Sequence, residues 1–170
     1  MNIYGYCRIS TAKQSIDRQI RNIKAEYPTA HIVQDAYTGT SIFRPEWLKL
    51  YRILKSGDTV VFDSVSQMSR NAEEGFALYE DLYHKGIRLV FLKEHHIDTE
   101  TYKKALSDSI AMTGTNVDFI LKGINEYLMA LAKEQIKLAF EQSEKEVADL
   151  HQRTREGLLT ARLNGKQVGR

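Results

Sequence analysis

The chain has 170 residues, is 42% hydrophobic and 27% charged, and carries a formal net charge of +2. That is the composition of a soluble globular protein with room for one domain, or one domain plus an appendage. No apolar run approaches a membrane span and the start is not a signal peptide. The single Cys7 excludes an intramolecular disulfide, which fits a cytoplasmic protein with no membrane partner.

Residues 2–8 read as a buried strand: Ile3, Tyr4, Tyr6 and Cys7 are strand formers, and Gly5 allows close packing. Cys7 is expected as a small buried hydrophobe rather than a reactive thiol. Arg8 and Ser10 follow, two apart, so in an extended segment both side chains point the same way. A helix is expected over 13–27, with Ile16, Ile20 and Ile23 at helical spacing and Pro28 ending it. Residues 31–35 read as strand two and 38–41 as loop. Pro45 opens a short helix to 54. Ser56-Gly57-Asp58 is a turn before a third strand over 59–63. Asn71 caps a helix to His84, Gly86 closes it, and 87–92 is the fourth strand. This alternation predicts an α/β fold: a mostly parallel sheet of four to five strands flanked by helices.

The last third differs. Ile136, Phe140, Ser143, Val147, Leu150, Thr154 and Leu158 recur in steps of three and four, with no glycine between Gly123 and Gly157. We expect a helix of about thirty or more residues, over roughly 45 Å. Its apolar seam needs cover from another subunit or from its own domain. Residues 151–170 hold five basic residues and one acid, a net +4, so the preceding 150 carry −2. A basic tail on a mildly acidic body points to phosphate, or is simply a solvated helix end.

In an open parallel sheet, ligands gather at the carboxyl ends of the strands. Arg8 and Ser10 follow strand one, Asp35 closes strand two, Arg44 lies beyond it, and Ser66, Gln67 and Arg70 follow strand three. No histidine joins this set, so a Ser-His-Asp arrangement is not supported. Arginine binds anions bidentately but is a poor base. The set suits a phosphodiester, with guanidiniums neutralising a phosphorane while a serine attacks phosphorus. On the residue types alone, surface ion pairs for Arg8, Arg44 and Arg70 are slightly favoured over that reading. The adjacent His95 and His96 have poor metal geometry and no cluster completes a site, so no metal is expected. The stretch after strand one is too poor in glycine for a flavin or nucleotide phosphate loop.

GYCRIST-x2-QS-x-D-x-Q resembles the N-terminal signature of the serine recombinases, the resolvase/invertase family. The resemblance covers residues 1–97 and resumes from Glu146 through HQRTREG. It implies a resolvase-like fold with a long C-terminal oligomerisation helix. It puts the nucleophile at Ser10, supporting arginines at Arg8, Arg44 and Arg70, the family's carboxylate at Asp35, and its glutamines at Gln14 and Gln19. Where relatives carry an Asp-Arg pair, this chain has Ser66-Gln67. Gln67 can donate hydrogen bonds but not neutralise charge; Asp63 lies three residues upstream of Ser66.

The expected layout is a catalytic domain over 1–125, an oligomerisation helix over 126–165, and at 166–170 the start of a basic arm leading toward a DNA-binding region outside this chain. The expected activity is site-specific recombination of double-stranded DNA through a 5′-phosphoserine link, without a cofactor. The protein would be a homodimer, tetrameric in the synaptic complex, and nucleoid-associated when bound to DNA. Arg153, Arg155, Arg162, Lys166 and Arg170 would contact the DNA. The alternative is a catalytically impaired DNA-binding or assembly module that keeps the fold.

Overall fold

A computed structural model describes residues 1–9, 16–36, 44–69, 71–107 and 110–163. Four strands form one sheet: β1 (Ile3–Ile9), β2 (His31–Ala36), β3 (Thr59–Phe62) and β4 (Arg88–Phe91). The order is β2-β1-β3-β4 and every pairing is parallel, so the expected sheet is present with no antiparallel strand among the described residues. β1 is central, which is why Tyr6 and Cys7 are fully buried, one on each face.

The helices between strands are α1 (Asp17–Glu26), α2 (Pro45–Ile53), the single turn α3 (Val65–Met68) and α4 (Ala72–His84). α1 covers one face, with its Ile23 packed in a cluster with Cys7, Val61 and Val90. The other face carries Tyr6, Phe62, Phe91, Trp47 and Tyr79 in a chain of ring contacts. The Asn71 side chain accepts from the amide of Glu74 and caps α4 as expected. Gly86 closes it at φ +74°, a conformation that side chains other than glycine's resist. α1 begins at Asp17; the expected start at 13 lies outside the described residues.

Two helices have no counterpart in the sequence reading. The one-turn α3 (Val65–Met68) follows β3, and α5 (Thr99–Ser107) follows a 3-10 turn at His95–Ile97. Thr99 is fully buried and its hydroxyl bonds the amide and carbonyl of Leu89, docking α5 on β4.

The final helix α6 spans Asp118–Leu163, 46 residues and about 69 Å. It starts eight residues before the boundary at 126 drawn from the sequence. The expected seam divides. Ile136, Phe140 and Ser143 are buried against the helix's own domain, while Leu150 and Leu158 are exposed; the side chain of Val147 lies outside the described set. Phe140 is thus a core residue and cannot face a second subunit. The reason is length: the domain is shorter than the helix and covers only its middle.

A different stripe is exposed. Val117, Ile120, Ile124, Tyr127, Leu131 and Leu138 recur in steps of three, four and seven, and each is 38% exposed or more. At about 100° per residue this stripe lies roughly 130° around the helix from the Ile136–Phe140 face.

Candidate functional site at the carboxyl ends of the strands

Arg8 and Asp35 are register partners on β1 and β2, and both are buried. Strand alternation puts Arg8 on the face of Tyr6. The carboxylate of Asp35 accepts from the Tyr6 hydroxyl at 2.8 Å, the Trp47 amide at 2.9 Å and the Glu46 amide at 3.1 Å. It therefore supplies, from a neighbouring strand, the acceptor that the first turn of α2 lacks locally. Burial first, and then the Asp35 carboxylate, push the Tyr6 hydroxyl well above the ordinary tyrosine range, so Tyr6 stays a donor.

Asp35 thereby holds the entry to α2, and Arg44 is the residue just before it. The Arg44 guanidinium donates to the carbonyl of Met68, the last residue of α3. That contact joins the segment after β2 to the segment after β3. Gln67 is half-buried on α3, and the Ser64 and Ser66 hydroxyls are 2.6 Å apart beside it. The α3 amino terminus is held by Glu94, whose side chain accepts from the Val65 amide at 3.0 Å.

Gln19 is buried, and its amide group is turned onto the backbone of Arg8. It accepts from the Arg8 amide at 3.0 Å and donates to the Arg8 carbonyl at 2.7 Å. It is a clamp between α1 and β1, set by two directed bonds. Asp63 is on the opposite face from Arg8, bonded to Asn22 of α1, so it does not take the place of a carboxylate at residue 66.

The structure brings together Arg8, Gln19, Asp35, Arg44 and Gln67 around the ends of β1, β2 and β3. Ser10, Gln14 and Arg70 lie outside the described residues, as do Lys166 and Arg170. Arg153, Arg155 and Arg162 are exposed on the last third of α6, far along the helix from the domain. Tyr6, Asn22, Asp63 and Glu94 were not singled out as partners in the sequence. Tyr6 carried a signal, since it is two residues from Arg8 on one strand and so shares its face. Among the described residues no group of three or more His, Cys, Asp or Glu could hold a metal ion, and no helix is long and apolar enough to cross a membrane. Cys7 is buried and its thiol is pushed up to about 12 by burial and by Asp63, which leaves it inert at neutral pH.

A parallel α/β domain with buried arginine and carboxylate at its strand ends, carried on a helix that outruns it, is the class this geometry defines. The chain belongs to the resolvase family: residues 3–167 match the family described as Resolvase, N terminal domain. It is similar to the Transposon Tn21 resolvase of Escherichia coli, 27% identical over 159 residues, 90% of this chain and 83% of that protein. A resolvase of Clostridium perfringens is also 27% identical, over 99% of this chain and 76% of its own length. Among solved structures, a resolvase family site-specific recombinase from Streptococcus pneumoniae aligns over 94% of this chain and 97% of its own, with 22% identity and a TM-score of 0.49.

Proposed function

We propose that this chain is the catalytic domain of a site-specific DNA recombinase that works through a serine. Membership of the resolvase family supports recombination. The observation that carries the reading is the pairing of buried Arg8 with Asp35 at the strand ends, with Gln19 fixing the Arg8 backbone and Arg44 tied to α3.

In this reading Ser10 Oγ attacks a DNA phosphorus. The Oγ–P bond forms as the serine hydroxyl gives its proton to water, the bond from phosphorus to the 3′ oxygen breaks, and that oxygen leaves as a hydroxyl, taking a proton back from water. The product is a 5′-phosphoserine ester, and attack by a 3′-hydroxyl on that ester rejoins the strands. The ester keeps the energy of the broken diester, so no nucleotide is consumed. Arg8, Arg44 and Arg70 neutralise the charge that grows on the phosphoryl oxygens. Asp35 serves chiefly by holding Arg44 in reach, because its oxygens already accept from Tyr6, Glu46 and Trp47. Gln14 orients the segment that carries Ser10.

Double-stranded DNA is the substrate, with Arg153, Arg155, Arg162, Lys166 and Arg170 on its phosphates or minor groove. Strand exchange needs paired subunits, and the exposed stripe from Val117 to Leu138 gives α6 a surface for a second copy. In this reading the protein works in the cytoplasm, on DNA at the nucleoid. A second reading is favoured by Gln67: without a guanidinium there, the domain binds and assembles on DNA but cleaves poorly.

A nicked suicide substrate tests the reading. The parent protein is expected to form a covalent adduct that survives denaturation. Ser10→Ala should bind the same DNA and form none, and an adduct with Ser10→Ala would overturn the assignment of the nucleophile.

A further inference from the structure

On the sheet face away from Arg8, Asp63 follows β3 and is 1% exposed. Oδ1 accepts from the Asn22 side chain at 2.7 Å. Oδ2 lies 3.3 Å from Lys93 Nζ and 3.9 Å from the Arg18 guanidinium, and makes no directed hydrogen bond. Both cations are at least half exposed, while the cluster packed under α1 on this face, with Cys7, Val61 and Val90, is apolar.

Stability does not ask for a carboxylate here. Burying a charge is costly, and well-packed apolar residues often replace buried ion pairs with no loss. The partners give the position its meaning. Arg18 and Asn22 stand on the first two turns of α1, on either side of Gln19, which grips Arg8. Lys93 comes just after β4. Asp63 therefore fastens the ends of β3 and β4 to the start of the helix whose other hold is on Arg8. That helix begins seven residues after Ser10.

We propose that Asp63 is a positioning residue for strand cleavage: through Asn22 and Arg18 it fixes the first turns of α1, and with them the Gln19 clamp on Arg8. The proposal rests on the recombinase reading. Asp63 itself touches neither DNA nor the reacting atoms.

The test compares the parent with Asp63→Leu, Asp63→Asn, Asn22→Ala and the Asp63→Leu/Asn22→Ala double variant. Adduct formation on the nicked substrate is measured in single turnover, beside DNA affinity, the urea midpoint, and hydrogen exchange of the amides of residues 20–22. A small misplacement of a reacting group costs on the order of 10–100-fold in rate, so Asp63→Leu should slow adduct formation by about that factor. DNA affinity and the urea midpoint should hold, and exchange over 20–22 should quicken. Asn22→Ala should add little to Asp63→Leu, because both cut the same tie. Asp63→Asn should recover most of the rate, since its oxygen still accepts from Asn22. If Asp63→Leu does not fold, Asn22→Ala carries the same comparison.

Adduct formation at the parental rate, or a loss that only follows loss of folded protein, overturns the proposal. A parent that forms no adduct overturns the recombinase reading instead. Exchange then decides the anchor alone: faster exchange over 20–22 supports it, and unchanged exchange overturns it.

Discussion

Phe140 of α6 lies directly over Gly75 of α4: a Cβ added at Gly75 would stand 2.4 Å from two carbons of the Phe140 ring. This contact seats the long helix on the domain, with Ile136 and Ala139 buried beside it. Gly75→Ala should force the ring off its seat and destabilise the protein by about 1–3 kcal/mol, the usual cost of overpacking. A fall in the urea midpoint with unchanged cooperativity is the expected result. If the midpoint holds, the helix is not seated through this contact.

At the site, the Tyr6–Asp35 bond can be read through pH. The Tyr6 hydroxyl is raised by burial and by Asp35, so the fold favours the neutral phenol. Stability from a raised group is full below its unfolded value, about 10 for tyrosine, and is lost as pH climbs toward the folded value. Tyr6→Phe removes the donor to a buried carboxylate and should cost about 1.5–3 kcal/mol at pH 7. It should also flatten the loss of stability above pH ~10. Urea denaturation at neutral and alkaline pH measures both; an equally steep alkaline limb in the variant would assign that limb to other buried groups with raised values, such as Tyr79 and Cys7.

Which parts were legible follows from what each signal reports. The four strands and α1, α2 and α4 were readable because period and punctuation agree: Pro45 opens α2, Asn71 caps α4, Gly86 closes it. α3 was missed because four residues show no period. The division of the α6 face was hidden for a different reason. Ile136, Phe140 and Leu150 look alike in a seam, and only the extent of the domain decides which are covered. At the site, Arg8, Asp35 and Arg44 could be placed from the end-of-strand rule, but the duty of Gln19 could not. A glutamine clamping a backbone and a glutamine facing a phosphate are the same letter at the same spacing.

The exposed stripe predicts where a second copy binds. Ile124 and Leu131 stand near its middle, and burying each would contribute about 1.5–3 kcal/mol. Ile124→Asp with Leu131→Asp should shift the protein toward monomer and leave the fold intact. Phe140→Asp should instead unfold it. Sedimentation beside circular dichroism separates the two, and an unchanged mass for the double variant would place the subunit contact elsewhere.

The basic end of α6 predicts a salt dependence. Replacing Arg153, Arg155 and Arg162 by Ala should weaken DNA binding at low salt. If each contacts one phosphate, the slope of log affinity against log salt should shrink by up to about 3. Titrations across a range of salt concentrations read this directly. An unchanged slope would make these arginines the solvated end of a helix.

Under the recombinase reading proposed above, the rate of cleavage should depend on Gln67. It is half-buried on α3, whose two ends are fixed: Glu94 bonds the Val65 amide, and Arg44 bonds the Met68 carbonyl. A side chain at 67 is therefore carried on a fixed turn, and an arginine there would present its charge without an ordering cost for the backbone. Removing one preorganised donor from a transition state typically costs on the order of 10²–10³ in rate, and here a charge is missing as well. Gln67→Arg should thus raise single-turnover cleavage on the nicked substrate by about that factor, with DNA affinity rising far less, because the extra charge acts on the phosphorane more than on the ground state. A gain confined to affinity would mean that the new arginine grips the ground-state backbone. Equal rates for the two proteins would mean that Arg8, Arg44 and Arg70 already neutralise the phosphorane without help from position 67.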